Sequence, residues 1–312
     1  MTIPMTMYLP IAGNSVNILA VLGLGGGVGL LSGIFGVGGG FLMTPLLMMM
    51  GIPATVAAAS DSNQIVGAST SGTLIHLRLG NVDVKMGLLL LVGGVIGGTL
   101  GVQLIKILRA MGNADFCIAI TYVLMLGGVG SYMFFESISS MRKSKKPAPA
   151  KPAPTKTSGY AKFMASLPFQ MDFPRSGIRQ SALTPLFFGV LVGVLSAIMG
   201  VGGGFIMVPV MVYMLRMPMH VVVGTSLFQV LFTCINVTIM QAGQNHTVDF
   251  VLALLLLIGS AIGAQFGARI GRRLKGDQLK VYLACIVLIV MFKMLYELLA
   301  RPDVLLAAIG GH

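Results

Sequence analysis

The sequence is poor in charged residues and in cysteine, and it has no tryptophan. Asp, Glu, Lys and Arg make up 10% of its 312 residues, whereas they make up roughly 25% of an ordinary soluble domain. This shortage excludes a globular domain that covers itself with a water-facing surface. The three cysteines, Cys117, Cys234 and Cys285, form no CxxC pair and no metal-binding set. They are interpreted as small buried apolar residues.

Apolar residues and glycine fill the place of the missing charge. Hydrophobic residues make up 55% of the chain, which also contains 42 glycines and 23 methionines. Glycine allows membrane helices to approach each other closely. The sequence therefore predicts an all-α, polytopic helical membrane protein. No basic segment precedes the first apolar run, so this run is interpreted as a retained span rather than a signal peptide.

Apolar segments of about 20 residues are long enough to cross a bilayer. The eight expected full spans are Ser15–Phe35, Ala54–Leu77, Val84–Ile107, Asp115–Phe135, Thr184–Met199, His220–Gln241, Val248–Ile270 and Leu279–Leu299. Two shorter pieces, Phe41–Met50 and Phe205–Leu215, each follow a glycine cluster. At ~1.5 Å per residue they reach about halfway across. They are expected to be half-helices or short spans.

A segment of a different composition divides the spans into two groups. Lysine, proline and alanine alternate along Lys143–Lys156, which favours an extended, solvated chain. We expect a first membrane repeat at 15–135, a basic Pro/Ala/Lys-rich linker at 136–183 and a second membrane repeat at 184–299.

The two groups of spans repeat each other in sequence. The segment Gly36–Pro45 matches Gly200–Pro209 at eight of ten positions. Further matches at similar spacing are Ser60 with Thr225, Gln64 with Gln229 and Asp83 with Asp249. Duplicated halves with an interrupted helix at matching positions are typical of transporters that are built from repeats.

The basic residues predict how the chain is oriented. Five crossings per repeat would make the repeats inverted, with 17 basic residues on the linker side and four on the other. Four crossings would make the repeats parallel, with a split of 13 and eight. The positive-inside rule favours the inverted arrangement, with a cytoplasmic linker and both termini periplasmic. The net charge of +12 is then an orientation signal and a contact for anionic lipid, and not a nucleic-acid footprint.

The two glycine clusters are the first candidate binding elements. Their members are Gly36, Gly38, Gly39 and Gly40, and Gly200, Gly202, Gly203 and Gly204. Glycine interrupts a helix, frees backbone N–H groups and starts a short helix, whose N-terminus attracts anions. Close helix packing is the alternative reading. A nucleotide-binding loop is excluded because no strand precedes either cluster.

The second candidate element is a polar run after each short apolar piece. Its members are Ser60, Asp61, Asn63 and Gln64 in the first half, and Thr225, Ser226, Gln229 and Asn236 in the second. Neutral hydroxyl and amide groups could donate hydrogen bonds to an anion. Alternatively, they could join neighbouring helices.

Asp61 is the single acid well inside a predicted span, and Ser226 is its repeat counterpart. Binding of a proton or cation, pairing with a distant base and helix capping all remain open for it. The spans contain no nucleophile–base pair, no paired carboxylates and no metal-ligand cluster. We therefore expect no enzyme activity, no cofactor and no metal site.

At the doubled Gly-Val-Gly-Gly-Gly-Phe segments, each followed by a Pro and a Ser/Thr–Gln helix, the sequence resembles the TauE/SafE sulfite-exporter family. The resemblance covers roughly Ile18–Phe135 and Thr184–Leu299. It implies a bacterial inner-membrane permease that exports sulfite, sulfonates or related small anions. It also implies that Gly36–Gly40 with Ser60–Gln64, and Gly200–Gly204 with Thr225–Gln229, form a site between the repeats.

The linker is not part of the usual family pattern. The first copy of the motif departs from the second by having Asp61, so the coupling ion stays open. The expected partners are the small anion and membrane lipid, and not nucleic acid; a homodimer is an open alternative to a monomer. A scaffold that recruits a cytosolic partner through the basic linker is the alternative function. Within transport, uptake and a substrate without sulfur are also open.

Overall fold

The computed structural model describes residues 6–35, 40–143, 168–271 and 276–300. These residues form one succession of elements twice, a β-hairpin followed by five helices. The first half contains β1 (Thr6–Leu9), β2 (Asn14–Asn17), α1 (Ile18–Phe35), α2 (Gly40–Met49), α3 (Ala54–Arg78), α4 (Val84–Ala110) and α5 (Ala114–Lys143). The second half contains β3 (Gln170–Phe173), β4 (Ile178–Ser181), α6 (Leu183–Met199), α7 (Gly204–Pro209), α8 (Met219–Met240), α9 (Phe250–Gly271) and α10 (Gly276–Ala300).

Two π-helical turns, Val210–Met214 and Gln241–Asn245, directly follow α7 and α8. Four segments of the described chain are long and apolar enough to cross a bilayer: Val84–Ala110, Ala114–Phe135, Val221–Asn245 and Phe250–Gly267. Shorter apolar helices lie at Ile18–Ser32, Gly40–Met49, Leu183–Met199 and Gly204–Met214. The prediction of a helical membrane protein is confirmed, and the number of eight full spans stays a prediction.

The two hairpins correct the expectation of an all-α chain. Each is an antiparallel pair, β1 with β2 and β3 with β4. Each turn closes with the N–H of a glycine at positive φ, Gly13 on Leu9 O and Gly177 on Phe173 O. Four-residue strands are too short for a reliable alternating pattern, so the sequence interpretation missed them. The second hairpin and the end of α5 lie within the segment predicted as linker.

The helices of the two halves pack reciprocally. The first helix of each half lies along the fourth helix of the other half, so that α1 packs on α9 and α6 packs on α4. The third helices, α3 and α8, pack on each other, as do the fifth helices, α5 and α10. The packing therefore follows a pseudo-two-fold axis that relates the two halves.

Glycine stripes make the reciprocal pairs close. A Cβ at Gly97 of α4 would overlap the backbone carbonyl of Val190 on α6, and one at Gly263 of α9 would overlap the carbonyl of Gly26 on α1. Both obstacles are backbone atoms, so no side chain fits at either position. Along the contact between α1 and α9, residue numbers increase in the same direction on both helices: Leu22 meets Gly259, Gly26 meets Gly263, and Leu30 meets Gly267. The two helices of this pair are therefore parallel.

The outward faces of α4 and α9 are apolar at matching positions. Exposed residues recur every four positions: Leu88, Val92, Ile96, Leu100 and Leu104 on α4, and Leu254, Ile258, Ile262, Phe266 and Ile270 on α9. A stripe of this length would be unfavourable in water and is suited to lipid. The face of each helix that carries the glycines thus packs inward, while the face that carries the large apolar side chains points away from the bundle.

The two hairpins lie at opposite ends of α3. At its N-terminal end, Asn14, the first residue of β2, donates a hydrogen bond to the carbonyl of Gly51. At its C-terminal end, the guanidinium of Arg175, in the β3–β4 turn, lies next to Gly80. The helix between these contacts has 25 residues, a length of about 37 Å. The β1–β2 hairpin and the β3–β4 hairpin are thus separated by the depth of the helical bundle.

Candidate functional site

The two short helices begin beside each other in the interior. The rings of Phe41 and Phe205, at the starts of α2 and α7, stack with centroids 4.4 Å apart and an interplanar angle of 14°. A Cβ at Gly40 would lie 3.4 Å from the Cα of Val201 and would overlap the side chain of Ile65. The structure therefore brings Gly40 next to the second glycine cluster. Gly36, Gly38 and Gly39 lie outside the described residues.

The second glycine cluster forms a loop wedged between α3 and α8. Gly200, Gly202 and Gly203 have φ values of +73°, +68° and +77°, a region that side chains disfavour. A Cβ at Gly200 would overlap the backbone of Ala58 on α3. One at Gly202 would lie 2.6 Å from the Sγ of Cys234 on α8. Both the backbone conformation and the space require glycine here.

The loop leaves backbone donors unused. Gly200 donates its N–H to the carbonyl of Ser196. The N–H groups of Gly202 and Gly203 donate to no atom of the residues that the structure describes. Gly204 then begins α7, where the first N–H groups of a helix have no partner within the helix. Among the described residues, the loop therefore presents backbone N–H groups without a partner near the crossing of α3 and α8, and no cationic side chain.

The paired glutamines are repeat counterparts, Gln64 on α3 and Gln229 on α8. Gln64 donates from Nε2 to the hydroxyl of Ser260 on α9, at 2.6 Å. Gln229 instead donates to Thr233 on its own helix, at 2.8 Å, and its Oε1 is buried without a partner. The repeat counterpart of Ser260 is Gly94, which has no hydroxyl to offer. The two amides are therefore equivalent in position and different in bonding.

The paired hydroxyls Ser60 and Thr225 join the two halves. Ser60 Oγ accepts the backbone N–H of Asp249, at 3.3 Å, and Thr225 Oγ1 accepts that of Asp83, at 3.0 Å. Each bond links a third helix to the start of the fourth helix of the other half. This bonding agrees with the alternative reading of the polar runs, in which their side chains join neighbouring helices.

Asp61 is fully buried and belongs to a cluster that the second half lacks. Its Oδ2 accepts the hydroxyl of Thr44 on α2, at 2.9 Å, while its Oδ1 has no partner. Tyr122 of α5 lies beside both residues and donates its hydroxyl to the carbonyl of Met199. At the repeat positions of Thr44 and Asp61 the second half has Val208 and Ser226.

Three other predicted residues have less central places. Ser226 donates its hydroxyl to the carbonyl of Val223 on its own helix, at 3.0 Å. Asn236 donates from Nδ2 to the carbonyl of Val95 and to the hydroxyl of Thr99, both on α4. Asn63 is half-buried.

Several side chains of this region were not predicted from the sequence: Thr44, Tyr122, Ser196, Thr233 and Ser260. Ser196 has a buried hydroxyl without a partner and lies next to Gly203. A signal for it was present, because a serine stands four residues before each glycine cluster, at Ser32 and Ser196. Thr44 and Tyr122 come from other helices, and no local pattern marks them.

The chemistry of the site is that of neutral donors around one carboxyl group. Within the described ranges, no group of three His, Cys, Asp or Glu side chains could hold a metal ion. A cavity of about 430 Å³ opens elsewhere, at the C-terminal end of α2. Among its lining residues are Met48, Asp115 and Glu297. The glycine loop, the glutamines and the Asp61 cluster are all absent from its lining.

Comparison with known proteins assigns a family to these features. The family model described as Sulfite exporter TauE/SafE matches residues 21–294. The Probable membrane transporter protein YunE of Bacillus subtilis (strain 168) is 25% identical over 294 residues, which cover 91% of this chain and 98% of that protein. The Probable membrane transporter protein YjnA of the same organism is 24% identical over 271 residues, covering 86% and 96%.

A plant protein shares a shorter stretch. The Sulfite exporter TauE/SafE family protein 5 of Arabidopsis thaliana is 46% identical over 52 residues, which cover 17% of this chain and 12% of that protein. No solved structure matches the chain significantly.

Proposed function

The chain belongs to the Sulfite exporter TauE/SafE family, and from this premise we propose that it exports sulfite or a related small sulfur-containing or organic anion across a bacterial inner membrane. Members of the family that this chain resembles are membrane transporters and not enzymes. The anion passes between the two halves of the molecule, where α3 and α8 cross.

The observation that carries the proposal is the glycine loop between α3 and α8. Its N–H groups, which have no partner among the described residues, and the buried hydroxyl of Ser196 beside Gly203 are neutral donors in one interior region. Neutral donors bind an anion without the strong attraction of a buried Arg or Lys, so the anion can also leave. Conduction and transport both require such reversible binding.

We further propose that the two halves are inverted repeats. Two features support this arrangement: the hairpins lie at opposite ends of α3, and the first helix of one half runs parallel to the fourth helix of the other. When successive helices alternate in direction, the first and fourth helices of one half are antiparallel. A parallel contact between α1 and α9 therefore requires the second half to be turned over. The linker is then cytoplasmic.

The membrane potential favours export. An interior that is negative by 100 mV favours the exit of each negative charge by about 2.3 kcal/mol. A dianion would gain about twice that amount, which corresponds to a gradient of about two-thousand-fold. Outward anion movement therefore needs no ATP-binding domain.

The experiment is sulfite release from a bacterium that produces sulfite during growth on taurine. Deleting the gene for the chain should raise cytoplasmic sulfite and lower sulfite in the medium, and re-expression should restore both. A Gly202→Ala variant should fail to restore release, because the added Cβ meets Cys234 and the backbone has positive φ. Gly243→Ala is the matched control, since a Cβ there meets nothing within 4 Å.

A variant without residues 144–156 separates transport from the scaffold alternative. A transporter should still release sulfite without this segment, whereas a scaffold that recruits its partner through the basic linker should fail. If deleting the whole gene leaves the sulfite concentration in the medium unchanged, the proposed substrate class is contradicted.

A further inference from the structure

We propose that Asp61 is a proton-binding site of the transport cycle, and that its carboxyl group carries a proton whenever an anion occupies the neighbouring glycine loop. The inference rests on the proposed function for the identity of the anion. The observations behind it are the burial of Asp61, its hydrogen bonds and the groups that surround it.

The first observation is that the carboxyl group of Asp61 has too few partners for a charge. The residue has no exposed surface, its Oδ2 accepts the hydroxyl of Thr44, the backbone N–H of Thr44 lies within reach of the carboxyl group, and its Oδ1 has no partner. A buried carboxylate requires several hydrogen bonds or a cationic partner. Protonation removes the charge and leaves Thr44 bonded to the other oxygen.

The second observation is that, among the described residues, no basic side chain pairs with Asp61. In the part of the chain that the structure describes, the ion pairs join Arg179 with Asp172 and Lys293 with Glu297, all on exposed side chains. A bound metal ion would need about six oxygen ligands. Beyond its own oxygens, Asp61 has the hydroxyls of Thr44 and Tyr122 beside it, and Tyr122 already bonds the carbonyl of Met199. The site therefore suits a proton.

The third observation concerns the titratable groups on the helices that pack on α3. Tyr122 of α5 and Cys234 of α8 face Asp61. Asp115 at the start of α5 accepts the N–H of Thr55. Asp249 at the start of α9 donates its backbone N–H to Ser60, the residue directly before Asp61. The described side chains of α2 and α6 include no titratable group. All these neighbours are acids or weak acids, so none supplies a positive charge.

The fourth observation is the connection between Asp61 and the glycine loop of the other half. Tyr122 lies beside Asp61 and Thr44 and donates to the carbonyl of Met199, the residue directly before Gly200. A charge change at Asp61 is therefore close to the loop that is proposed to bind the anion. An anion and an unprotonated carboxylate would repel each other there, so anion and proton bind together, and each strengthens the binding of the other.

The first test reads the proton directly. Infrared spectra of the purified protein, recorded from pH 6 to pH 8, should contain at pH 6 the C=O stretch of a protonated carboxylic acid that is absent from the spectrum of Asp61→Asn. Asp83→Asn is the matched control and should keep that band, because Asp83 is a buried carboxylate with hydrogen bonds from Ser176 and Met86. A wild-type spectrum without an Asp61-dependent band would overturn the proposal, whatever anion the protein carries.

The second test reads the coupling with methanesulfonate, which stays a monoanion over this pH range. Its affinity for the wild-type protein should fall up to tenfold per pH unit once Asp61 loses its proton. Affinity for Asp61→Asn should be independent of pH. Wild-type binding that stays independent of pH over a range in which the infrared band is lost would overturn the coupling. Absence of binding by either protein, with the infrared band present, would instead count against the proposed substrate class and leave the proton site in place.

Discussion

Asp83 and Asp249 occupy the same position in the two halves of the molecule, and they have different partners. Each begins a fourth helix, and its Oδ1 accepts the N–H three residues later, from Met86 at 3.2 Å and from Leu252 at 3.1 Å. The Oδ2 of Asp83 also accepts the N–H and the hydroxyl of Ser176, in the β3–β4 turn. The Oδ2 of Asp249 is buried without a partner.

The two hairpins differ in sequence at the residue that bonds Asp83. The β3–β4 hairpin has Ser176 where the β1–β2 hairpin has Ala12 at the matching position. A methyl group cannot donate a hydrogen bond, so the two ends of the bundle are held unequally. The features that the halves share, the helix caps and the cross-links to Ser60 and Thr225, position the helices. The halves differ here and at Asp61.

The largest effect is expected from removing the two caps. Asp83→Ala loses the cap of α4 and both bonds to Ser176, which should lower the free energy of unfolding by about 3 kcal/mol. Asp249→Ala loses one cap and a carboxylate oxygen that had no partner, so about 1 kcal/mol is expected. Thermal unfolding of both variants in the same detergent measures the difference, and equal losses would contradict it.

The next effect isolates the hairpin. Ser176→Ala should remove the hydroxyl bond to the Oδ2 of Asp83, leave only the backbone N–H of residue 176 on that oxygen, and destabilise the protein by about 1 kcal/mol. Arg179→Ala in the same hairpin is the control, because its ion pair with Asp172 is exposed and should contribute no measurable stability. If the control loses as much stability as Ser176→Ala, the hairpin acts through its fold and not through the Asp83 contact.

The smallest effect is expected from giving the β1–β2 hairpin the hydroxyl group that the β3–β4 hairpin has. Ala12→Ser places a hydroxyl where Ser176 has one and should stabilise the protein by about 1 kcal/mol through a bond to Asp249. The added bond should disappear in the Ala12→Ser, Asp249→Ala double variant, which a double-mutant cycle measures. A destabilised single variant would show that the two hairpins do not sit on their fourth helices in the same way.

The sequence was sufficient for the features that have a long or duplicated pattern. Apolar runs predicted the helices, and the shared Gly-Val-Gly-Gly-Gly-Phe segment located the starts of α2 and α7. Two of the sequence matches, Ser60 with Thr225 and Asp83 with Asp249, identified the residues that join the halves. In the structure Ser60 bonds Asp249 and Thr225 bonds Asp83. The sequence could not tell whether these side chains bind an anion or pack the helices.

The rest required three-dimensional contacts. Thr44 and Tyr122 lie 17 and 61 residues from Asp61 in the chain, so no local spacing joins them. The hairpins are short, and their shared Pro and Gly positions become informative only when the turns are superimposed. Glycines such as Gly97 and Gly263 could have been predicted as packing residues, but the helix that each one meets depends on the reciprocal arrangement of the halves.

The measurement that tests the central claim most directly is the initial rate of sulfite efflux from proteoliposomes that hold a set membrane potential. The account predicts efflux that is faster than from protein-free liposomes, that rises with an inside-negative potential, and that is lost in Gly202→Ala but not in Gly243→Ala. Efflux at the protein-free rate, or efflux equal in the two variants, would contradict an anion path along the glycine loop.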